Sequence, residues 1–256
     1  MSLLPAVVLA GGLATRLRPI TETIPKSMVD IHGEPFIAHQ LRLLRGHGIQ
    51  DVVLCLGYLG EQVEHYVGDG ERFGVSVQYV YDGPTLLGTA GAIKRALPVL
   101  AKESPSRRRY APPQGERLNG AFFVLYGDSF LPCDYKAVQE TFARAQKPAL
   151  MTVFHNQGLW DTSNVEFRDH QIVIYDKKQR NEHMAHIDYG LEIFHPSCFD
   201  SIPDNTPYDL ADLFQLLLKK NQLAAHEVKE RFYEVGSFAG IEELMYYLSH
   251  QSPLDV

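Results

Sequence analysis

Cysteine is scarce: Cys55, Cys133 and Cys198 are the three in 256 residues, far apart and without a C-x-x-C pair. That pattern excludes a disulfide framework or a zinc ribbon and fits a reducing, cytoplasmic setting. Positive charge is also short. Lysine and arginine total 24 against 31 aspartates and glutamates, a formal net charge of -7, so no general affinity for nucleic acid or anionic membrane is expected. No apolar run reaches the length of a membrane span. The opening MSLLPAVVLAGG has no basic stretch, and its apolar run is broken by Pro5 and then by glycines, which reads as a first strand rather than a leader. There is no internal repeat, no low-complexity tract and no hexapeptide-repeat tail, so a second activity is not expected. The loop after the first strand is neither G-x-x-x-x-G-K-[ST] nor G-x-G-x-x-G, which excludes a nicotinamide-dependent oxidoreductase built on that turn. The 11 histidines, His183, His186 and His195 included, form no H-E-x-x-H frame and are assigned to surface or packing rather than to zinc.

With 45% hydrophobic and 21% charged residues, the chain can bury a large core. VVLA at 7–10 is a short continuous apolar run, as in strands buried on both faces of a parallel sheet. EPFIAHQLRLLRGHG predicts a helix with Pro35 in its first turn. DVVLCLGY, GVSVQYVY and GAFFVLYGD read as further strands, with helices GEQVEHYV and TAGAIKRALPVL between them. That alternation implies βαβ units and a mostly parallel sheet. Residues 101–119 break the pattern as a surface excursion, its arginines 107–109 read as solvated. Beyond Tyr135 the chain reads as strand-rich (PALMTVFH, NVEF, QIVIYD, IDYGLEIF). A helix DLADLFQLLLKK capped by Asp209 or Asp212 follows, then LAAHEV, RFYEVG and a final helix capped by Ser237. Phe232, Tyr233, Phe238, Tyr246 and Tyr247 are assigned to the core. One domain over residues 1–256 is expected.

Chemistry concentrates where strands end. Gly11 and Gly12 follow the first strand at once, with Thr15, Arg16 and Arg18 next and Lys26 after Pro25. Successive N–H groups of a glycine turn form an anion-binding concavity, and a guanidinium can grip two phosphate oxygens. Asp128 stands just past a buried strand, where open α/β sheets place ligands, although Gly127-Asp128 taken alone also reads as a simple turn. Gly88, Thr89 and Ala90 open a helix, where small residues let a flat ring approach and free N–H groups point outward.

The ordered motifs LAGGLATRLRP, PKSMVDIHGEPFI, GTAGAI and GDS, with FYEVGSF near the end, together resemble the sugar-1-phosphate nucleotidyltransferase family. That family usually reads L-A-G-G-x-G-T-R-L-x-P. Here Ala14 replaces a glycine, so the backbone there must avoid positive φ. The resemblance covers the whole chain. It implies an α/β, Rossmann-like GT-A type fold, a mostly parallel mixed sheet flanked by helices. It also implies a cytoplasmic, Mg²⁺-dependent enzyme of nucleotide-sugar and polysaccharide biosynthesis, joining a nucleoside triphosphate to a sugar 1-phosphate with release of pyrophosphate. The elements IDYGL and YEVGS are similar to those of the heptose- and mannose-phosphate guanylyltransferases.

By that resemblance, Leu9, Ala10, Gly11 and Gly12 wrap the triphosphate, with Arg16 on the leaving phosphates and Lys26 between the α-phosphate and the sugar phosphate. Gly88, Thr89 and Ala90 lie along base and ribose, and the L-G-T-A word favours GTP over CTP, UTP or dTTP. Asp128 and Glu234 hold Mg²⁺, Glu234 replacing the usual aspartate. Asp176-Lys177 matches the family's E-K pair on a strand, with Lys178 as the alternative. Asp188 and Gly190 border the sugar. A catalytically silent nucleotide-sugar-binding module of the same fold and a homodimer both stay open.

Overall fold

The computed structural model describes residues 2–12, 15–102, 118 and 120–251. Ala14, arginines 107–109 and nearly all of the 101–119 excursion lie outside the described residues. The strands are β1 (Ala6–Ala10), β2 (Asp30–Ile31), β3 (Glu34–Pro35), β4 (Asp51–Leu56), β5 (Ser76–Tyr81), β6 (Phe122–Tyr126), β7 (Ser129–Phe130), β8 (Ala149–Phe154), β9 (Val165–Arg168), β10 (Gln171–Tyr175), β11 (Ile187–Phe194), β12 (Leu223–Val228) and β13 (Tyr233–Glu234). The helices are α1 (Phe36–Gly46), α2 (Gly60–Val67), α3 (Gly88–Leu100), α4 (Tyr135–Ala145), α5 (Leu210–Lys219) and α6 (Phe238–Ser249). Seven strands form the central sheet in the order β12-β8-β11-β6-β1-β4-β5. β1 pairs in parallel with β4 and β6, β4 with β5 and β8 with β12, while β11 runs antiparallel to both neighbours. The fold is therefore the expected mostly parallel, mixed α/β sheet flanked by helices.

Alternating side chains divide the core. Val8, Leu54, Phe123 and Leu191 pack with α1, α2 and α4 on one face. Val7, Val53, Val124 and Phe194 pack with α3 and α5 on the other. A third cluster, Ile31, Phe36, Phe130, Val235 and Leu244, joins the short strands to α6. Because β11 is reversed, its beginning lies at the end of the sheet where β1, β4, β6 and β8 finish.

Several local expectations are corrected. α4 occupies a stretch read as strand-rich: Asp134 caps it through Ala137 N–H, and Tyr135, Val138 and Phe142 form its buried face. Pro35 stands in extended conformation before α1, pairing within the β2–β3 ribbon, rather than inside the first turn. The caps are as expected: of the two candidates it is Asp209 that caps α5, and Ser237 caps α6. The aromatic group near the end is split: Phe238 is 55% and Tyr246 68% exposed, whereas Tyr233 and Tyr247 stack at 4.3 Å.

Candidate functional site

The carboxyl ends of β1, β4 and β6 come so close that side chains are excluded. A β-carbon on Gly127 would meet that of Ala10 at 2.7 Å and the Leu9 carbonyl at 2.9 Å, and one on Gly57 would meet the Gly11 carbonyl at 2.6 Å. Gly127 N–H donates to that Leu9 carbonyl at 2.9 Å. Leu9, Ala10 and Gly11 are thereby fixed beside the turn that carries Asp128. A β-carbon on Gly12 would face open space.

Arg16 and Lys26 ride on two short 3-10 turns, Thr15–Leu17 and Lys26–Met28, anchored by fully buried Leu17 and by buried Ser27 and Val29. Asp128 and Glu234 are brought side by side by the antiparallel β7–β13 ribbon, where Glu234 pairs with Ser129 and Val235 N–H donates to the Asp128 carbonyl at 2.9 Å. Lys26 Nζ then lies 2.5 Å from Asp128 Oδ2, with Ser129 Oγ donating to Oδ1 at 3.2 Å. A β-carbon on Gly236 would lie 2.9 Å from Lys26 Nζ and 3.2 Å from both Arg16 Nη2 and Glu234 Oε1. Two cations and two carboxylates thus converge from three distant parts of the chain. Burial holds the Glu234 carboxyl above its ordinary range, and the charge of Asp128 pushes the same way against Lys26 and Arg16.

Sequence reasoning missed the supports of this cluster. Gln40, fully buried on α1, donates from Nε2 to the carbonyls of Tyr126 at 2.9 Å and Ser129 at 2.8 Å, clamping the turn that bears Asp128. Gly236 supplies the gap that the charged groups share. A glutamine inside an amphipathic helix gives no sign of this in the sequence, whereas G-S after Y-E-V lay within a motif already noted.

Gly88, Thr89 and Ala90 do open α3, but not with free donors. Ala90 and Gly91 N–H groups donate to the Tyr208 carbonyl at 2.9 and 3.2 Å. Thr89 Oγ1 accepts from Leu210 N–H at 2.7 Å and reaches Asp209 Oδ1 at 3.3 Å, tying α3 to the start of α5. Gly88 has φ +68 and abuts the Tyr208 carbonyl. The expectation of outward-pointing N–H groups is corrected for Ala90, whose hydrogen, like that of Gly91, faces the neighbouring segment.

On the other side of β6, Asp176 and Lys177 fall just beyond β10 rather than on it. Asp176 Oδ1 closes a turn by accepting from Lys178 and Gln179 N–H. Lys177 Nζ lies 3.7 Å from Asp188 Oδ2 and over the rings of Tyr126 and Tyr175, so of the two lysines it is Lys177 that meets Asp188. Gly190, φ +96, sits in a bulge of β11, and a β-carbon there would press on the Tyr126 ring at 3.3 Å.

The Nucleotidyl transferase family model matches residues 5–250. The chain is similar to a UTP–glucose-1-phosphate uridylyltransferase of Synechocystis, at 31% identity over 83% of this chain and 55% of the relative. It is similar to an N-acetylmuramate alpha-1-phosphate uridylyltransferase of Neisseria meningitidis, at 26% over 93% and 95%. A mannose-1-phosphate guanyltransferase of Gibberella zeae matches at 27% over 90% of this chain and 60% of the relative. The chain therefore spans somewhat over half the length of the first and third and nearly all of the second. Among solved structures, HddC of Yersinia pseudotuberculosis, complexed with GMP-PN, shares the fold with a TM-score of 0.74 at 23% identity, covering 96% of this chain and 100% of that one. The family match spans nearly the whole chain, and the chain belongs to the nucleotidyl transferase family.

Proposed function

We propose that the protein joins a nucleoside triphosphate to a sugar 1-phosphate, giving a nucleotide sugar and pyrophosphate, with residues 1–256 acting as one domain. The observation that carries this reading is the meeting of Arg16, Lys26, Asp128 and Glu234 beside the glycine turn at the carboxyl ends of β1 and β6. The nucleophile is a phosphate oxygen, ionised near neutral pH because its second pKa is about 6, so no general base is required. The work left to the protein is to bring two polyanions together and stabilise charge at the α-phosphorus and leaving pyrophosphate.

Arg16 would take the departing phosphates, and Lys26 would exchange Asp128 for the α-phosphate and incoming sugar phosphate. Leu9, Ala10, Gly11 and Gly12 would border the triphosphate, with Gly88, Thr89 and Ala90 toward base and ribose. Lys177, Asp188 and Gly190 would line the sugar-phosphate half. Asp128 and Glu234 suit Mg²⁺: two oxygen donors are held together and partly buried, and their mutual repulsion favours a shared cation. Bound there, Mg²⁺ would neutralise phosphate oxygens. GTP with a mannose- or heptose-type sugar is the favoured pair, from the L-G-T-A word and from the name of the Gibberella relative; the uridylyltransferases among the relatives make UTP the main competitor.

The test is a matrix of nucleoside triphosphates against sugar 1-phosphates, with and without Mg²⁺, read by product mass. The expected result is a GDP-sugar formed only with the metal, and at least about 100-fold slower turnover in Lys26→Ala and Asp128→Ala with the fold retained. No nucleotide sugar from any pair, or unchanged rates in both variants, would overturn the reading.

A further inference from the structure

Glu192 is a carboxylic acid in the middle of the central sheet. It is 0% exposed, sits on β11 between Val124 of β6 and Met151 of β8, and among the described residues no donor reaches either of its side-chain oxygens. The catalytic scheme above makes no use of it. A regular strand would place it about 13 Å from Asp188, four residues earlier. The bulge changes this: Asp188 pairs with Val153 and Glu192 with Met151, so their partners on β8 are only two residues apart. The register thus brings the two acids close along β11, and burial first, then the charge of Asp188, hold the Glu192 carboxyl well above its ordinary range.

Asp188 is well supplied. Its Oδ1 accepts from Gly190 N–H at 3.2 Å, and its Oδ2 meets Tyr175 OH at 3.3 Å and Lys177 Nζ at 3.7 Å. Asn164 Oδ1 accepts its backbone N–H at 3.0 Å. Both carboxylate oxygens of Asp188 therefore face donors. Glu192 has no such donors, and burial beside a carboxylate drives it to keep its proton. The other ionisable groups around the pair are Tyr126 of β6, Tyr175 of β10, Asp209 at the start of α5, and Lys177. β8 offers Met151 and Val153.

We propose that Glu192 is a positioning residue: as a neutral acid sealed beneath Asp188 it shares its proton with that carboxylate, leaving a single negative charge opposite Lys177. This rests on the reading of Lys177 and Asp188 as the sugar-phosphate half of the site. One negative charge steadies the ammonium and still lets it turn to a phosphate; two would hold it down on the pair. The shared proton thereby sets how tightly a sugar 1-phosphate is held, without Glu192 touching the ligand.

The experiment uses the full chain and the variants Glu192→Gln and Glu192→Leu, with two readouts. Infrared difference spectra at neutral pH should contain the carbonyl band of a protonated carboxylic acid that Glu192→Gln removes. Calorimetric titration with mannose 1-phosphate should give wild type and Glu192→Gln within about twofold, since the amide still donates, and Glu192→Leu about tenfold weaker. Raising the pH should weaken binding to wild type more than to Glu192→Gln. Absence of the band, or equal weakening in Gln and Leu variants, overturns the proposal even if Leu fails to fold, because the band and the Gln titration need only the isosteric variant. A band present with no mannose 1-phosphate binding to wild type overturns the positioning role through the subsite reading beneath it; the product-mass matrix separates that failure from failure of the activity.

Discussion

At Gly236 the site leaves no room for a side chain. In Gly236→Ala the new methyl would stand 2.9 Å from Lys26 Nζ, and the neighbours that must give way are the flexible ends of Lys26, Arg16 and Glu234. The expected outcome is turnover reduced about 10- to 100-fold with an unchanged denaturation midpoint, measured by steady-state kinetics and urea unfolding. A second prediction concerns His47, stacked on Tyr135 at 4.3 Å, whose pKa is lowered chiefly by burial from the ordinary 6.5, Asp134 opposing. A base depressed in the native state is protonated first in the unfolded chain. Stability is therefore full above about pH 6.5 and falls as pH drops toward the folded value. His186 and His226 are displaced the same way. His47→Phe should keep the stacking and reduce the loss of stability between neutral and mildly acidic buffer, checked by urea midpoints at both. Arg16, Lys26, Asp128 and Glu234 are named from short ordered words and the family they resemble, and the structure brings their side chains together. Gln40 and Glu192 could not be named in this way, because their meaning comes from carbonyls and carboxyls that only the folded sheet brings near them.

At the scale of elements, Thr89 shows how a residue from a ligand-like motif can serve its own scaffold. Thr89→Val would remove the acceptor for Leu210 N–H and the link to Asp209, with an expected loss of about 1–2 kcal/mol in urea unfolding. Thr89→Ser should keep most of it. The helix-start words G-T-A-G were legible, but that Tyr208 takes two of the N–H groups was not, since the contact spans more than a hundred residues. α4 was legible in principle: Asp134 is a sound cap and Tyr135, Val138 and Phe142 keep helical spacing. Its neighbours' β-rich character hid it, a case of regional composition outweighing local period.

Across the whole molecule, the alternation of buried strands with amphipathic helices specifies an α/β sheet, while strand order and the reversal of β11 depend on pairings no local pattern records. The tight joining of strand ends yields a further prediction. Gly127→Ala would drive a β-carbon into Ala10 and the Leu9 carbonyl, which are backbone or short side chain and cannot swing away. An unfolding free energy lower by about 2–3 kcal/mol is expected, together with lost turnover; both are measurable on the same preparation.

The reversed strand also bears on how the chain is made. When synthesis has passed β8, the slab β6-β1-β4-β5 and the lone β8 both present open edges, and the ribbon that separates them in the finished sheet, β11, has still to emerge. Until Phe194 leaves the ribosome, those two edges are templates for any stray strand. A nascent chain stalled before Ile187 should therefore be the form most prone to clump, and the one most dependent on chaperones.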